Sequence, residues 1–161
     1  PTDAIAAAEP SLVVLVQGTH PKRTLLGRFL DTPRSVLVGS QSFWEGIDVA
    51  GDALQCVIID KLPFPPPNDP LVQARARLLE QQGRDAFNDY FVAEAAISLK
   101  QGAGRLIRSE TDRGVLVITD VRLRQMAYGR RLRAALPPMG TLDTEADALA
   151  WIDALAAAHP A

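Results

Sequence analysis

Four short apolar runs decide what this chain can become. Ser11–Gln17 (SLVVLVQ), Ser35–Val38 (SVLV), Ala53–Asp60 (ALQCVIID) and Gly114–Thr119 (GVLVIT) are strand-sized and rich in branched apolar residues. None alternates cleanly between apolar and polar positions, so each predicts a strand buried on both faces, as parallel strands are. The stretches between them read as helices. Leu25, Leu26, Phe29 and Leu30 recur at helical spacing within Pro21–Asp31. Asp69 ahead of Pro70 is an N-cap followed by a first-turn proline, opening a helix to about Gln82. Phe91, Ala95 and Leu99 share a face between about Phe87 and Gln101, and helix returns over Arg122–Leu136, where Pro137–Pro138 stops it. A last helix, about Asp143–Leu155, puts Leu149, Ile152 and Leu155 on one face. Strands alternating with helices predict an α/β fold with a mostly parallel sheet covered on both sides.

The chain has 161 residues, the size of one domain, and is 47% hydrophobic and 22% charged, enough to bury a core. Intrinsic disorder is excluded on that balance. No apolar run approaches the ~20 residues that span a bilayer. Pro1-Thr2-Asp3 does not begin a signal peptide, so a cytoplasmic location with no membrane partner is expected. One cysteine, Cys56, and two distant histidines, His20 and His159, leave no set for a disulfide or a structural zinc. Cys56 lies mid-run among apolar neighbours and is expected to be buried.

The net charge of −2 hides a pattern. Residues 100–133 carry nine basic side chains against three acidic, while the segments on either side are acidic. Such a block is either a solvated helix face or a surface for phosphates.

Ligands of open α/β sheets bind beyond the carboxyl ends of the strands. Gly39-Ser40-Gln41-Ser42-Phe43-Trp44-Glu45-Gly46-Ile47-Asp48 follows the second run, and a plain connection there needs only a few residues. Gly46 allows close approach of another backbone, and Asp48 is an acceptor suited to a ribose hydroxyl. Phe43 and Trp44 are expected to plug the core. Gln101-Gly102-Ala103-Gly104-Arg105-Leu106-Ile107-Arg108 precedes the fourth run. Arg105 and Arg108 are three apart and face one way on a helical turn, which suits a clamp on phosphoryl oxygens. The alternative is two solvated arginines paired with Glu110 or Asp112. Gly102 and Gly104 suggest a close approach by another surface. The loop Leu62–Pro70 (LPFPPPNDP), with five prolines, forbids helix.

Gln-x-x-Gly-Arg-x-x-Arg at 101–108 resembles the sixth motif of superfamily-two helicases, and Phe43–Asp48 resembles the fifth motif in its XPD/DinG form. With the proline loop between them, and Asp112-Arg113-Gly114-Val115 and Asp120-x-Arg122 after, residues of about 12–138 resemble the second RecA-like motor domain of DinG-family helicases. The wording of Gly39–Gly46 is nearest the YoaA-like branch. The resemblance implies a three-layer α/β/α RecA-like fold over the whole of 1–161. It implies an ATP-dependent DNA helicase of 5′–3′ polarity, acting in DNA repair or replication. Arg105 and Arg108 would be arginine fingers at an interdomain ATP, with Gln101 at the same cleft. Glu45, Gly46, Asp48 and Gly104 would lie at the nucleotide, and Ser40, Gln41 and Ser42 toward single-stranded DNA. Gln17-Gly18-Thr19 is similar, weakly, to the segment that follows the family's fourth motif, with no role carried onto it, and Trp44 is either a core plug or a stacking surface.

The resemblance also implies what belongs elsewhere. A phosphate-cradling Gly-x-x-x-x-Gly-Lys-[Ser/Thr] loop, a water-activating Asp-Glu-x-His box and clustered iron–sulfur cysteines are not in this sequence. ATP and Mg2+ would be held mainly by the first motor domain of the same polypeptide, which would also carry any iron–sulfur cluster. The isolated piece is expected to be inactive. The rival expectation is a non-catalytic RecA-like module that binds nucleic acid or protein.

Overall fold

The structure, a computed structural model, describes residues 2–44, 49, 53–107 and 112–158. In chain order the elements are α1 (Thr2–Ala8), β1 (Val13–Val16), α2 (Lys22–Asp31), β2 (Ser35–Val38), α3 (Gln41–Trp44), β3 (Cys56–Ile59) and α4 (Pro70–Gln81). A single π turn (Phe87–Phe91) runs into α5 (Val92–Ala103), followed by β4 (Val115–Ile118), α6 (Arg122–Gln125), α7 (Gly129–Ala134) and α8 (Glu145–Ala158).

All four apolar runs form strands, and both strand pairings are parallel. Among the described residues they make two separate ladders rather than one sheet. β1 pairs with β2 from Val13↔Ser35 to Val16↔Val38, and β3 with β4 from Cys56↔Val115 to Ile59↔Ile118. The architecture is thus a mixed helix–strand fold with parallel strands.

Each ladder has its own core. Leu15 and Leu37 of the first pack with Leu25, Leu26 and Phe29 of α2, Phe43 of α3, and Val49. The expected plugging of the core by Phe43 is observed, at 6% exposure. In the second, Val57, Ile59, Leu116 and Ile118 face Val92, Ala95 and Leu99 of α5, with Leu62, Leu123 and Leu132 completing the cluster. Leu25, Leu99 and Leu132 are fully buried. Each such side chain contributes on the order of 1.5–3 kcal/mol.

The opposite face of β3 is open. Ile58 is 66% exposed and Cys56 is also exposed, which corrects the expectation of a buried thiol. An apolar run states that a strand is covered, and here only one of its two faces is. Partial burial still pushes the Cys56 thiol pKa up.

Asp69 caps α4 as expected, its Oδ1 accepting from the backbone N–H of Leu71 at 2.8 Å and of Val72 at 3.1 Å. Thr144 caps α8 in the same way, accepting from Asp147 N at 3.1 Å. Leu155 of α8 is buried while Leu149 is exposed, so the expected single apolar face is only partly covered. The helix expected over Arg122–Leu136 is two helices. Met126 is extended, and at Gly129 the chain returns so close to the Leu123 carbonyl that a Cβ would collide with it. Among the described residues no helix is long and apolar enough to cross a membrane.

Candidate functional site

The segment after β2 is built by side-chain hydrogen bonds to elements on both sides of it. Gln17, just past β1, turns its Oε1 toward Ser40 and accepts from the Ser40 N–H at 2.7 Å and from its hydroxyl at 2.9 Å. Gly39 makes room for this, since a Cβ there would press on Phe43 and on that same Oε1. Ser40 Oγ lies 3.0 Å from Ser42 Oγ, and both residues are exposed. The Ser40 carbonyl accepts from Phe43 N at 2.9 Å, closing the short turn that aims Phe43 into the core. Lys22 reaches over that ring, with Nζ 5.2 Å from its centroid.

Gln41, between the two serines, points the other way. Its Nε2 donates to Ser98 Oγ at 2.8 Å, across 57 residues of sequence. Ser98 is 8% exposed and lies on the apolar stripe of α5 beside Ala95, Leu99 and Gly102. A hydroxyl on a packed stripe needs a partner, and Gln41 supplies it. The bond ties the first ladder's loop to the helix packed on the second.

α5 ends in the candidate phosphate-facing residues. Gln101 is exposed, Gly104 ends the helix by donating its N–H to Lys100 O at 2.9 Å, and Arg105 is half-buried. A Cβ on Gly104 would meet only carbonyls of its own helix, at Lys100 and Gln101. A close approach within the chain occurs at Gly114. A Cβ there would collide with Leu106, the buried residue after Arg105, so Gly114 lets β4 start hard against the turn carrying Arg105. Ser98 stands five residues before the end of α5 at Ala103, about 7.5 Å along the helix axis. The structure therefore brings Gln41 to the helix that leads into Gln101, Gly104 and Arg105. Glu45, Gly46, Asp48 and Arg108 lie outside the described residues, as does the Trp44 side chain.

At the carboxyl ends of β3 and β4 stands a second polar construction. Asp120, its side chain 7% exposed, accepts from Leu62 N at 2.9 Å and from Arg122 Nη2 at 2.6 Å through Oδ2. Its Oδ1 accepts from Arg122 N at 3.0 Å and Nε at 2.9 Å. The Arg122 guanidinium, with the Leu62 amide behind it, holds the Asp120 carboxyl well below the usual carboxylate range. Asp120 thereby fixes the start of the proline loop to the end of β4.

The sequence does not mark Ser98 or the partners of Asp120, and it marks Gln17 only by a weak likeness with no role attached. A serine on an otherwise apolar helix stripe was the available signal for Ser98. The contact that Gln17 makes is not encoded locally, because its partner lies 23 residues away.

The helicase C-terminal domain family matches residues 3–139. The chain is 53% identical over 126 residues to the ATP-dependent DNA helicase YoaA of Haemophilus influenzae, covering 78% of this chain and 20% of that protein. It is 44% identical over 128 residues to the ATP-dependent helicase DinG of Mycobacterium tuberculosis, covering 80% of this chain and 19% of the relative. A Bacillus subtilis relative, named 3'-5' exonuclease DinG, is 38% identical over 122 residues, 76% of this chain and 13% of its own length. The chain thus spans about a fifth or less of the curated relatives it matches. With a match running through both ladders and through the turn at Arg105, the chain belongs to the helicase C-terminal domain family.

Proposed function

We propose that this chain is the second motor domain of an ATP-dependent 5′–3′ DNA helicase, a three-layer RecA-like unit acting in DNA repair or replication. In this reading all of 1–161 is one domain with its core at about 12–138, and the first motor domain of the same polypeptide faces it across an ATP cleft. Arg105 and Arg108 are the arginine fingers, Gln101 senses the phosphate beside them, and Glu45, Gly46, Asp48 and Gly104 line the nucleotide. Ser40, Gln41 and Ser42 lie toward single-stranded DNA, with the two serine hydroxyls open to it and Gln41 tied back to Ser98.

The observation that carries the reading is the Gln41–Ser98 hydrogen bond. A loop presenting two exposed hydroxyls is joined by one side chain to the helix that ends at Gln101 and Arg105. A shift of that loop by a bound strand would pull on the helix, and a shift of the helix by a bound phosphate would pull on the loop.

The donor set fits a triphosphate approached from another domain. A half-buried guanidinium and an exposed amide at a helix end offer hydrogen bonds to phosphoryl oxygens. Among the described residues no three His, Cys, Asp or Glu side chains gather as metal ligands. In this proposal the chain's part is charge stabilisation, with Mg2+ and any iron–sulfur cluster held by the first motor domain. ATP, when bound, supplies the phosphoryl group whose developing charge the arginines meet, a role worth ~10³–10⁵ in rate where fingers have been removed from such sites.

The test is ATP turnover by the full-length protein with and without single-stranded DNA. DNA-stimulated turnover, lost by roughly 10³-fold in Arg105→Ala with DNA binding kept, is the expected result. The rival reading, a non-catalytic RecA-like module that binds nucleic acid or protein, is separated from the proposal by the same measurement. DNA binding without turnover in the unaltered protein would favour the rival.

A further inference from the structure

β4 ends at Ile118, and the chain leaves its carboxyl end into α6 and α7, on the side where open α/β sheets hold their ligands. From Val121 to Leu142 no acidic residue occurs, and the same stretch holds Arg122, Arg124, Arg130, Arg131 and Arg133. Two of these arginines are already engaged. Arg122 is clamped by Asp120 and lies 5.6 Å from the Phe64 ring centroid, where Tyr128 meets the same ring edge-on at 5.6 Å. Arg131 donates through Nη1 to the Asn88 carbonyl at 2.8 Å. Asn88 in turn donates its side-chain amide to Asp85 at 2.6 Å, and Asp89 beside it pairs with Arg84 at 3.0 Å. That edge of α7 therefore borders two carboxylates.

Arg124, Arg130 and Arg133 differ from these. Each is exposed, and among the described residues none of them makes a hydrogen bond or an ion pair. The backbone beneath them is fixed. Leu123 and Leu132, at 8% and 0% exposure, belong to the core of the β3–β4 ladder. Gly129 seats α7 against the Leu123 carbonyl, so the two short helices form one packed unit. Arg130 and Arg133 are three apart on α7 and share a side of it. Arg124 directly follows the buried Leu123 of α6.

Like charges without counter-charges repel and add nothing to the fold, but they concentrate positive potential where a polyanion docks. All three are arginine, whose planar fork takes two phosphate oxygens at once. We propose that Arg124, Arg130 and Arg133 form a contact for the phosphodiester backbone of nucleic acid, just beyond the carboxyl end of β4. The proposal rests on the nucleic-acid reading above and adds a second point of attachment, on the other ladder from Ser40–Ser42. A contact made to phosphates alone is indifferent to base sequence.

The test is anisotropy of two labelled probes, oligothymidine and a blunt duplex of equal length, with the full-length protein across a salt series. Arg124→Gln, Arg130→Gln and Arg133→Gln, combined, are expected to weaken binding and to flatten the salt slope. The slope falls by about two on the single strand or by about two to three on the duplex. The probe that shows the loss tells whether the arginines meet a separated strand or a duplex. The corresponding triple lysine variant keeps the charge and is expected to keep the parental slope. Thermal melts check that both variants fold. If the glutamine variant keeps the parental slope on both probes, or the lysine variant loses it equally, the contact is overturned while the wider reading stands. The arginines are then left to an acidic protein partner or to solvent. If the unaltered protein binds neither probe, both readings fall together.

Discussion

The two ladders share a plan and differ in how they are braced. Each pairs four residues of one strand with four of the next in parallel. Among the described residues the β1–β2 ladder rests on four buried residues, and its carboxyl end is held by a neutral amide, Gln17, bonded to Ser40. The β3–β4 ladder rests on seven buried residues, and its carboxyl end is held by the Asp120–Arg122 clamp. Hydrogen bonds between charged groups are roughly twice as strong as neutral ones. The stiffer half thus carries the rings and prolines, and the softer half carries the loop proposed to respond to a bound strand. Segments that move in function come from the less stable parts of a fold.

The comparison is broken most severely in the cores. Leu99→Ala should cost about 2–5 kcal/mol, and Leu25→Ala should fall in the lower part of that range. The smaller cluster has fewer fixed neighbours and relaxes further into the space left. Urea denaturation of both variants reads the difference, and equal losses would remove the asymmetry.

Asp120→Asn comes next, at about 1.5–3 kcal/mol, because a nearly buried charged acceptor loses its charge while its donors remain. The pH dependence has a definite sign. A carboxyl whose folded pKa lies below its unfolded value stabilises the fold fully above the unfolded value, about 4. That contribution is lost as pH falls from there through the depressed folded value. Melting temperatures of the unaltered chain should therefore drop on acidification below about pH 4, and Asp120→Asn should lack that part of the drop. Parallel pH profiles for the two proteins would mean that the clamp does not brace the ladder.

Ser98→Ala has the smallest effect on stability, about 0.5–1.5 kcal/mol from the lost hydrogen bond, partly offset by the better helix propensity of alanine. It sharpens the comparison because it cuts a link between the halves and leaves each core intact. In the full-length protein, basal turnover should stay unchanged while its stimulation by single-stranded DNA falls several-fold. Full stimulation in the variant would separate the loop from the helix.

What was legible in the sequence was whatever is encoded locally. The four strands were carried by runs such as Ser35–Val38, and the start of α4 by Asp69 and Pro70, since strand burial and capping act within a few residues. The break between α6 and α7 was hidden because Gly129 is needed only where the chain meets the Leu123 carbonyl in space. α1, Thr2–Ala8, buries no residue and so left no apolar stripe to read. The π turn was read as ordinary helix, for its aromatics sit equally well on a helical face in sequence. At the candidate site, the segments were legible from their motifs, and Phe43 in the core was expected. The wiring was not. Gln17 with Ser40, Gln41 with Ser98 and Asp120 with Leu62 join residues distant in the chain.

The open face of β3 has a practical consequence. Cys56 is the one thiol in the chain and stands on that face in contact with solvent. A maleimide dye would attach at a single defined point, with no residue added or removed. Because the thiol pKa is raised, coupling is slow at neutral pH and quickens in mildly alkaline buffer. The dye would then report, by its colour and rotational freedom, whether another surface comes to rest on the β3 side of the ladder.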